Sequence, residues 1–123
     1  MEFIMYKETA ESYYRAIGNK KEQDFAKFLD DKVEFIGPMA TLKGKEAVIN
    51  ATKNFMNTIR SLSIESSFSN ENQAMVVYSV DIPGVSIAFP GASLLNFKEG
   101  KIVRIQLFFD TAPVTQKKDE IYS

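Results

Sequence analysis

Phe97-Lys98-Glu99-Gly100-Lys101-Ile102-Val103-Arg104-Ile105-Gln106-Leu107-Phe108-Phe109-Asp110 is the stretch that decides the fold. Glu99-Gly100 is a two-residue hairpin turn between two runs rich in apolar, β-branched and aromatic residues. Upstream of it the side chains also alternate with a period of two. Leu62, Ile64, Ser66 and Phe68 alternate with Ser61, Ser63, Glu65 and Ser67, which predicts a strand with one buried face. Ser69-Asn70-Glu71-Asn72 is a turn. Val76, Tyr78, Val80 and Ile82 then form the apolar phase of a strand over Gln73 to Ile82. Pro83-Gly84 breaks that strand. Val85 to Phe89 reads as a short extended piece stopped by Pro90-Gly91, and Ala92 to Lys98 as the strand entering the hairpin.

Before Arg60 the period is helical. Ala10, Tyr13, Tyr14 and Ile17 form one stripe, ended by Gly18-Asn19, with Glu8, Glu11, Ser12 and Arg15 opposite. Phe25, Phe28 and Leu29 share a face of a short second helix that closes at Asp30-Asp31. Lys32 to Ile36 reads as a short strand ended by Gly37-Pro38. A third helix covers Lys45 to Ile59, with Val48, Ala51, Thr52, Phe55 and Ile59 as its stripe. Helix, helix, strand, helix and four antiparallel strands predict an α+β fold with the helices on one face of a curved sheet. One domain is expected over residues 1–112, with 113–123 as a polar tail that frays.

Composition excludes much chemistry. The chain has 123 residues, 15 basic and 16 acidic side chains, no Cys and no His. Disulfides, thiolate nucleophiles, Cys or His metal ligands and His-based triads are therefore excluded. No basic excess exists to neutralise phosphates, so no nucleic-acid partner is expected. No apolar run approaches the ~20 residues of a membrane helix. The N-terminal stretch lacks a basic region followed by a long apolar core, so no membrane partner and a cytoplasmic location are expected. Asp30-Asp31 is a clustered carboxylate pair and reads as the polar end of a helix. No metal and no cofactor are expected.

Three segments together resemble the nuclear transport factor 2-like superfamily, especially its SnoaL-like and ketosteroid-isomerase-like members. They are Tyr13-Tyr14-Arg15-Ala16-Ile17-Gly18 with Asp30-Asp31, Gly37-Pro38 leading to Leu42-Lys43-Gly44-Lys45-Glu46-Ala47-Val48, and the closing hairpin. The resemblance implies a cone, a cystatin-like α+β barrel in which a bent antiparallel sheet wraps three helices around a pocket. It places Val103, Ile105, Leu107 and Phe109 on the inner face of the last strand, and Ser93, Leu95 and Phe97 on the strand before. Tyr13 or Tyr14 closes the pocket, with Phe35, Ile64 and Tyr78 on its walls. Tyr14, Phe35, Tyr78, Ser93, Leu95, Ile105, Leu107 and Phe109 are the expected ligand contacts. Such a lining suits a small apolar or carbonyl-bearing molecule.

The same resemblance poses a catalytic question. Ketosteroid isomerases use a carboxylate base, a Tyr on the first helix and a neutral Asp beside it that holds the oxyanion. Tyr13 matches that Tyr, Ser93 stands at the Asp, and Phe35, Ile36 or Gly37 stands at the base. Steroid-type isomerisation is therefore not expected. Tyr13, Glu34 and Asp110 remain the catalytic candidates for another isomerase- or cyclase-like reaction, because a one-residue register change would turn Glu34 inward. The plain readings are a solvent-facing Glu34 and an Asp110 that caps a turn. A third possibility is a non-catalytic interaction module with a filled core. On the outer sheet face Leu94 and Phe108, joined by Met75 and Val77 among Arg104 and Gln106, predict a homodimer contact.

Overall fold

The hairpin forms as its sequence predicts. Glu99 and Gly100 both adopt positive φ, 53° and 82°, the geometry that matches the twist of two directly joined strands. Lys98 pairs with Lys101 across the turn. The computed structural model describes residues 2–117. Its elements run α1 (Glu2–Gly18), α2 (Glu22–Ala26), β1 (Leu29–Ile36), β2 (Thr41–Lys43), α3 (Lys45–Thr58), β3 (Ser61–Ser69), β4 (Gln73–Ile82), β5 (Ser86–Lys98) and β6 (Lys101–Phe108), with a 3-10 turn at Ala112–Lys117. The fold is α+β, a curved six-stranded sheet with three helices.

Strand order in the sheet is β2-β1-β6-β5-β4-β3. The last four strands form the expected antiparallel meander. β1 joins it by running parallel to β6, so one pair in an otherwise antiparallel sheet departs from the expectation. A helical crossover lies between β1 and the meander, which permits that parallel return. α1 packs across β3 and β4, and α3 packs on β1. The core lies between these helices and the concave face, with Ala10, Phe25, Val33, Val76, Leu95 and Ile102 each fully buried.

Several boundaries differ from the sequence reading. Leu29 and Asp30-Asp31 belong to β1, not to the second helix. Leu29 pairs with Ile102, and the carboxylates of Asp30 and Asp31 point away from the core on an extended segment. β2 was not expected; it is three residues that pair with Glu34 to Ile36. Pro90-Gly91 does not break β5, which runs unbroken through 13 residues. Of β5, only Ala92 to Lys98 pair with β6. Residues 86–91 are therefore a local edge, where a proline's missing N–H is tolerated.

Two bulges change which residues face inward. In β3 the pairing slips between Ile64 and Ser66, leaving Glu65 as the extra residue. The phase then flips: Phe68, expected inside, is 64% exposed, while Ser67 turns towards α1 and its hydroxyl donates to the Glu11 carboxylate. A second slip lies between Asn96 and Phe97. It puts Ile102, not Val103, in the core. The polar tail also contains an anchor. Val114 is 1% exposed and belongs to the core cluster, so the segment read as tail is anchored to the core at its start. The rest of the tail, 118–123, lies outside the described residues. No described helix is long and apolar enough to cross a membrane.

Candidate functional site

Helical spacing places Tyr13, Tyr14 and Ile17 on the buried face of α1, so two consecutive phenols enter the interior at different angles. Their rings meet edge-on at 5.1 Å. Tyr13 bonds Thr52 of α3. Thr52 spends its own hydroxyl hydrogen on the Val48 carbonyl at 2.7 Å, so Tyr13 is the donor in that pair. Tyr14 crosses to the sheet, donates to Ser93 Oγ at 2.6 Å and stacks on Tyr78 at 4.7 Å. The Tyr78 hydroxyl lies 3.1 Å from the same Ser93 oxygen. Ser93 is the one fully buried polar residue among those described.

Gly91 makes this arrangement possible. It pairs with Tyr78 across β4 and β5, and a Cβ at 91 would stand 3.2 Å from the Tyr78 ring. The ring therefore lies over bare backbone, tilted towards Tyr14. Burial pushes the hydroxyls of Tyr13, Tyr14 and Tyr78 above their ordinary pKa of 10.0. All three are neutral hydrogen-bond donors and acceptors at physiological pH, not bases.

Two adjoining cavities lie beside these phenols. The larger has a volume of about 60 Å³. Tyr13, Tyr14 and Ile17 of α1 meet Val48, Thr52 and Phe55 of α3 across it. Phe35, Leu42, Tyr78, Ile105 and Leu107 supply the sheet side. The smaller, about 40 Å³, lies towards the end of the sheet where Phe89, Phe109 and Val114 close it. Each exceeds the roughly 10–15 Å³ that admits one water. No charged side chain lines either one.

The expected ligand contacts separate on this geometry. Tyr14, Phe35, Tyr78, Ile105 and Leu107 line the larger cavity and Phe109 the smaller. Ser93 and Leu95 are fully buried but line neither; Ser93 stands behind the phenols it bonds. Ser93 was matched with Tyr13, yet the phenol that reaches it is Tyr14.

The catalytic candidates are not brought together. Tyr13 is in the cavity wall. Glu34 precedes the wall residue Phe35 and so faces the opposite side of β1. There its carboxylate lies 3.8 Å from Arg104 of β6, both about one-third exposed. The inward register considered for Glu34 is not adopted. Asp110 is exposed and accepts a hydrogen bond from the Ala112 N–H at 3.0 Å, a turn cap. Among the described residues no three carboxylates cluster to hold a metal ion. Sequence reasoning treated the α3 stripe as plain core. Its apolar period was visible, but not that Thr52 and Phe55 face a void.

The model of the SnoaL-like domain matches residues 10–105, most of the chain. The chain belongs to the SnoaL-like domain family. No curated protein sequence matches significantly. Solved structures extend the likeness at the level of the fold. A bacterial protein with a cystatin-like fold from Silicibacter pomeroyi has a TM-score of 0.81 at 13% identity, covering 94% of this chain and 83% of its own. A steroid delta-isomerase from Pseudomonas aeruginosa has a TM-score of 0.77 at 13% identity, covering 92% and 85%. A protein with a ketosteroid-isomerase-like fold from Catenulispora acidiphila, in complex with trimethylamine, has a TM-score of 0.73 at 17% identity, covering 91% and 92%. At these identities the likeness shows the SnoaL-like, nuclear transport factor 2-like architecture alone, since one fold hosts many activities.

Proposed function

We propose that this SnoaL-like chain binds a small, uncharged, mostly apolar molecule that carries one hydrogen-bond acceptor, such as a carbonyl. One observation carries the reading: a buried cluster of neutral hydroxyls, Tyr14, Tyr78 and Ser93, stands beside a cavity with no charged wall. Such a site recognises an acceptor by donating to it, and it disfavours ions, whose burial without a partner is costly. Proton abstraction needs a base within reach of the guest. Glu34 and Asp110 both lie outside the cavity walls, which favours binding over the isomerase- or cyclase-like alternative. The cavity volumes, about 60 and 40 Å³, limit the guest to a small molecule.

The test compares cyclohexanone with methylcyclohexane, a hydrocarbon of like size with no acceptor. At tenfold excess over its Kd the ketone is expected to add about 1.4 kcal/mol, a Tm rise of roughly 3–6 °C. The hydrocarbon gives less, and Tyr78→Phe narrows the difference. A Tm that cyclohexanone leaves unchanged up to tens of millimolar overturns the reading in favour of a filled interaction module.

The outer sheet face supports a second copy as partner. Cross-strand pairing lines up Phe68, Met75 and Leu94 in one row, and Val77, Ala92 and Phe108 in the next. Arg104 and Glu34 flank the rows with opposite charges, which a two-fold pairing can satisfy. Phe108→Glu would bury a carboxylate at the centre of that contact. It is expected to convert a sedimenting dimer to monomer, and an unchanged mass would remove this interface.

A further inference from the structure

We infer that the two cavities are head and tail chambers of one site, divided by Phe55, and that the guest is an uncharged linear molecule with a single polar end, of the medium-chain ketone or alcohol class. This rests on the binding reading above and sharpens it. Both cavities share three walls: Phe55, Tyr78 and Leu107. These three side chains stand between the cavities and form their shared partition.

The chambers differ in chemistry. The larger receives the phenols of Tyr13, Tyr14 and Tyr78 and the hydroxyl of Thr52. In the smaller, Tyr78 is the sole wall residue with a polar side chain; Val80, Ile82, Phe89, Phe109 and Val114 are all apolar. A polar head therefore fits one end and a hydrocarbon tail the other. The hydrogen count at the head identifies the donor. Tyr14 gives its hydrogen to Ser93. Ser93, once it accepts that hydrogen, can pass its own to Tyr78 across 3.1 Å. The Tyr78 hydroxyl also neighbours that of Tyr14, so a guest acceptor competes with the Tyr14 oxygen for the Tyr78 hydrogen, and Tyr78 stands at the junction of the chambers. A guest with its acceptor at Tyr78 extends its chain past the partition.

Phe55 is the movable part of that partition. Tyr78 is held by Ser93 and by its stack on Tyr14. Leu107 is the penultimate residue of β6, opposite Ser93, where pairing fixes its backbone. Phe55 comes from the last turns of α3 and is only half-buried. Rotation of its side chain joins the chambers without disturbing the sheet.

Titration calorimetry of the wild-type protein with pentan-2-one, heptan-2-one and nonan-2-one tests this, with heptanoate as the charged control. Affinity is expected to rise about threefold to fourfold per methylene at a stoichiometry of one, the ~0.8 kcal/mol of a buried CH2 at 1.4 kcal/mol per tenfold. Heptanoate is expected to bind at least tenfold more weakly than heptan-2-one. Phe55→Leu, which keeps an apolar side chain and thins the partition, is expected to shift the preference towards nonan-2-one. Cyclohexanone binding with no dependence on chain length, or a Phe55→Leu variant with the wild-type length preference, overturns the two-chamber site and leaves the binding reading standing. Failure of cyclohexanone and every linear ketone to bind overturns both.

Discussion

Stability is expected to fall steeply as the pH rises past about 10, because three phenols must ionise and the folded interior opposes all of them. Burial is the main cause for each: Tyr13, Tyr14 and Tyr78 are raised above the ordinary value of 10.0. Below that value both the folded and unfolded chains keep these protons, and the stability is complete. Between the unfolded value and the raised folded one, the unfolded chain holds fewer protons. Unfolding then becomes easier with every increment of pH. Each tyrosine contributes about 1.4 kcal/mol per pH unit in that window, so the three together approach ~4 kcal/mol per pH unit. The measurement is phenolate absorbance followed together with circular dichroism. Ionisation of the buried phenols and loss of secondary structure should coincide, and Tyr78→Phe should lower the slope by about one-third. Ionisation of Tyr13, Tyr14 and Tyr78 near 10 with the fold intact would show that the interior does not exclude their charge.

Ser93→Ala is the second large effect. Ser93 Oγ is the common partner of two buried phenols. Removing it leaves the two phenols only each other as partners, so one of their two hydrogens loses its acceptor. A buried donor left without its acceptor costs about 1–3 kcal/mol. Urea unfolding should show that loss as a lower midpoint with an unchanged m-value. Tyr14→Phe should cost less, since it removes the donor along with the need for an acceptor. Combining Tyr14→Phe with Ser93→Ala should then cost less than the sum of the two, by about 0.5–2 kcal/mol, because one bond is lost only once. Strict additivity would mean that the hydroxyls act independently.

Regular periodicity was legible and irregularity was not. The Glu99-Gly100 hairpin, the alternation of β4 and the stripes of α1 and α3 all appear where local chemistry predicts them, because each follows a fixed repeat. Glu65 and Val103 break that repeat by a single residue. Nothing local marks either as extra; the partner strand decides it. Pro90 misled for a related reason. Whether a proline ends a strand depends on whether a neighbour needs its N–H, and β6 stops short of it. Val114 looked like tail because its flanks are polar, yet the hollow beside Phe89 and Phe109 accepts one apolar side chain. At the site, the aromatic lining could be read from alternation. The choice of Tyr14 over Tyr13 as the partner of Ser93 could not, since it depends on the rotation of α1 against β5.

The extra residue in β3 also bears on how copies of this protein can meet. β3 is the outermost strand on one rim of the sheet, and a nine-residue rim is a template for endless edge-to-edge growth. Glu65 interrupts that template with a misfit in register and a negative charge, so an incoming strand cannot zip along it. Contact through the broad outer surface remains open, and contact of that kind closes on itself. A single inserted residue thus guards this rim against fibre-like growth.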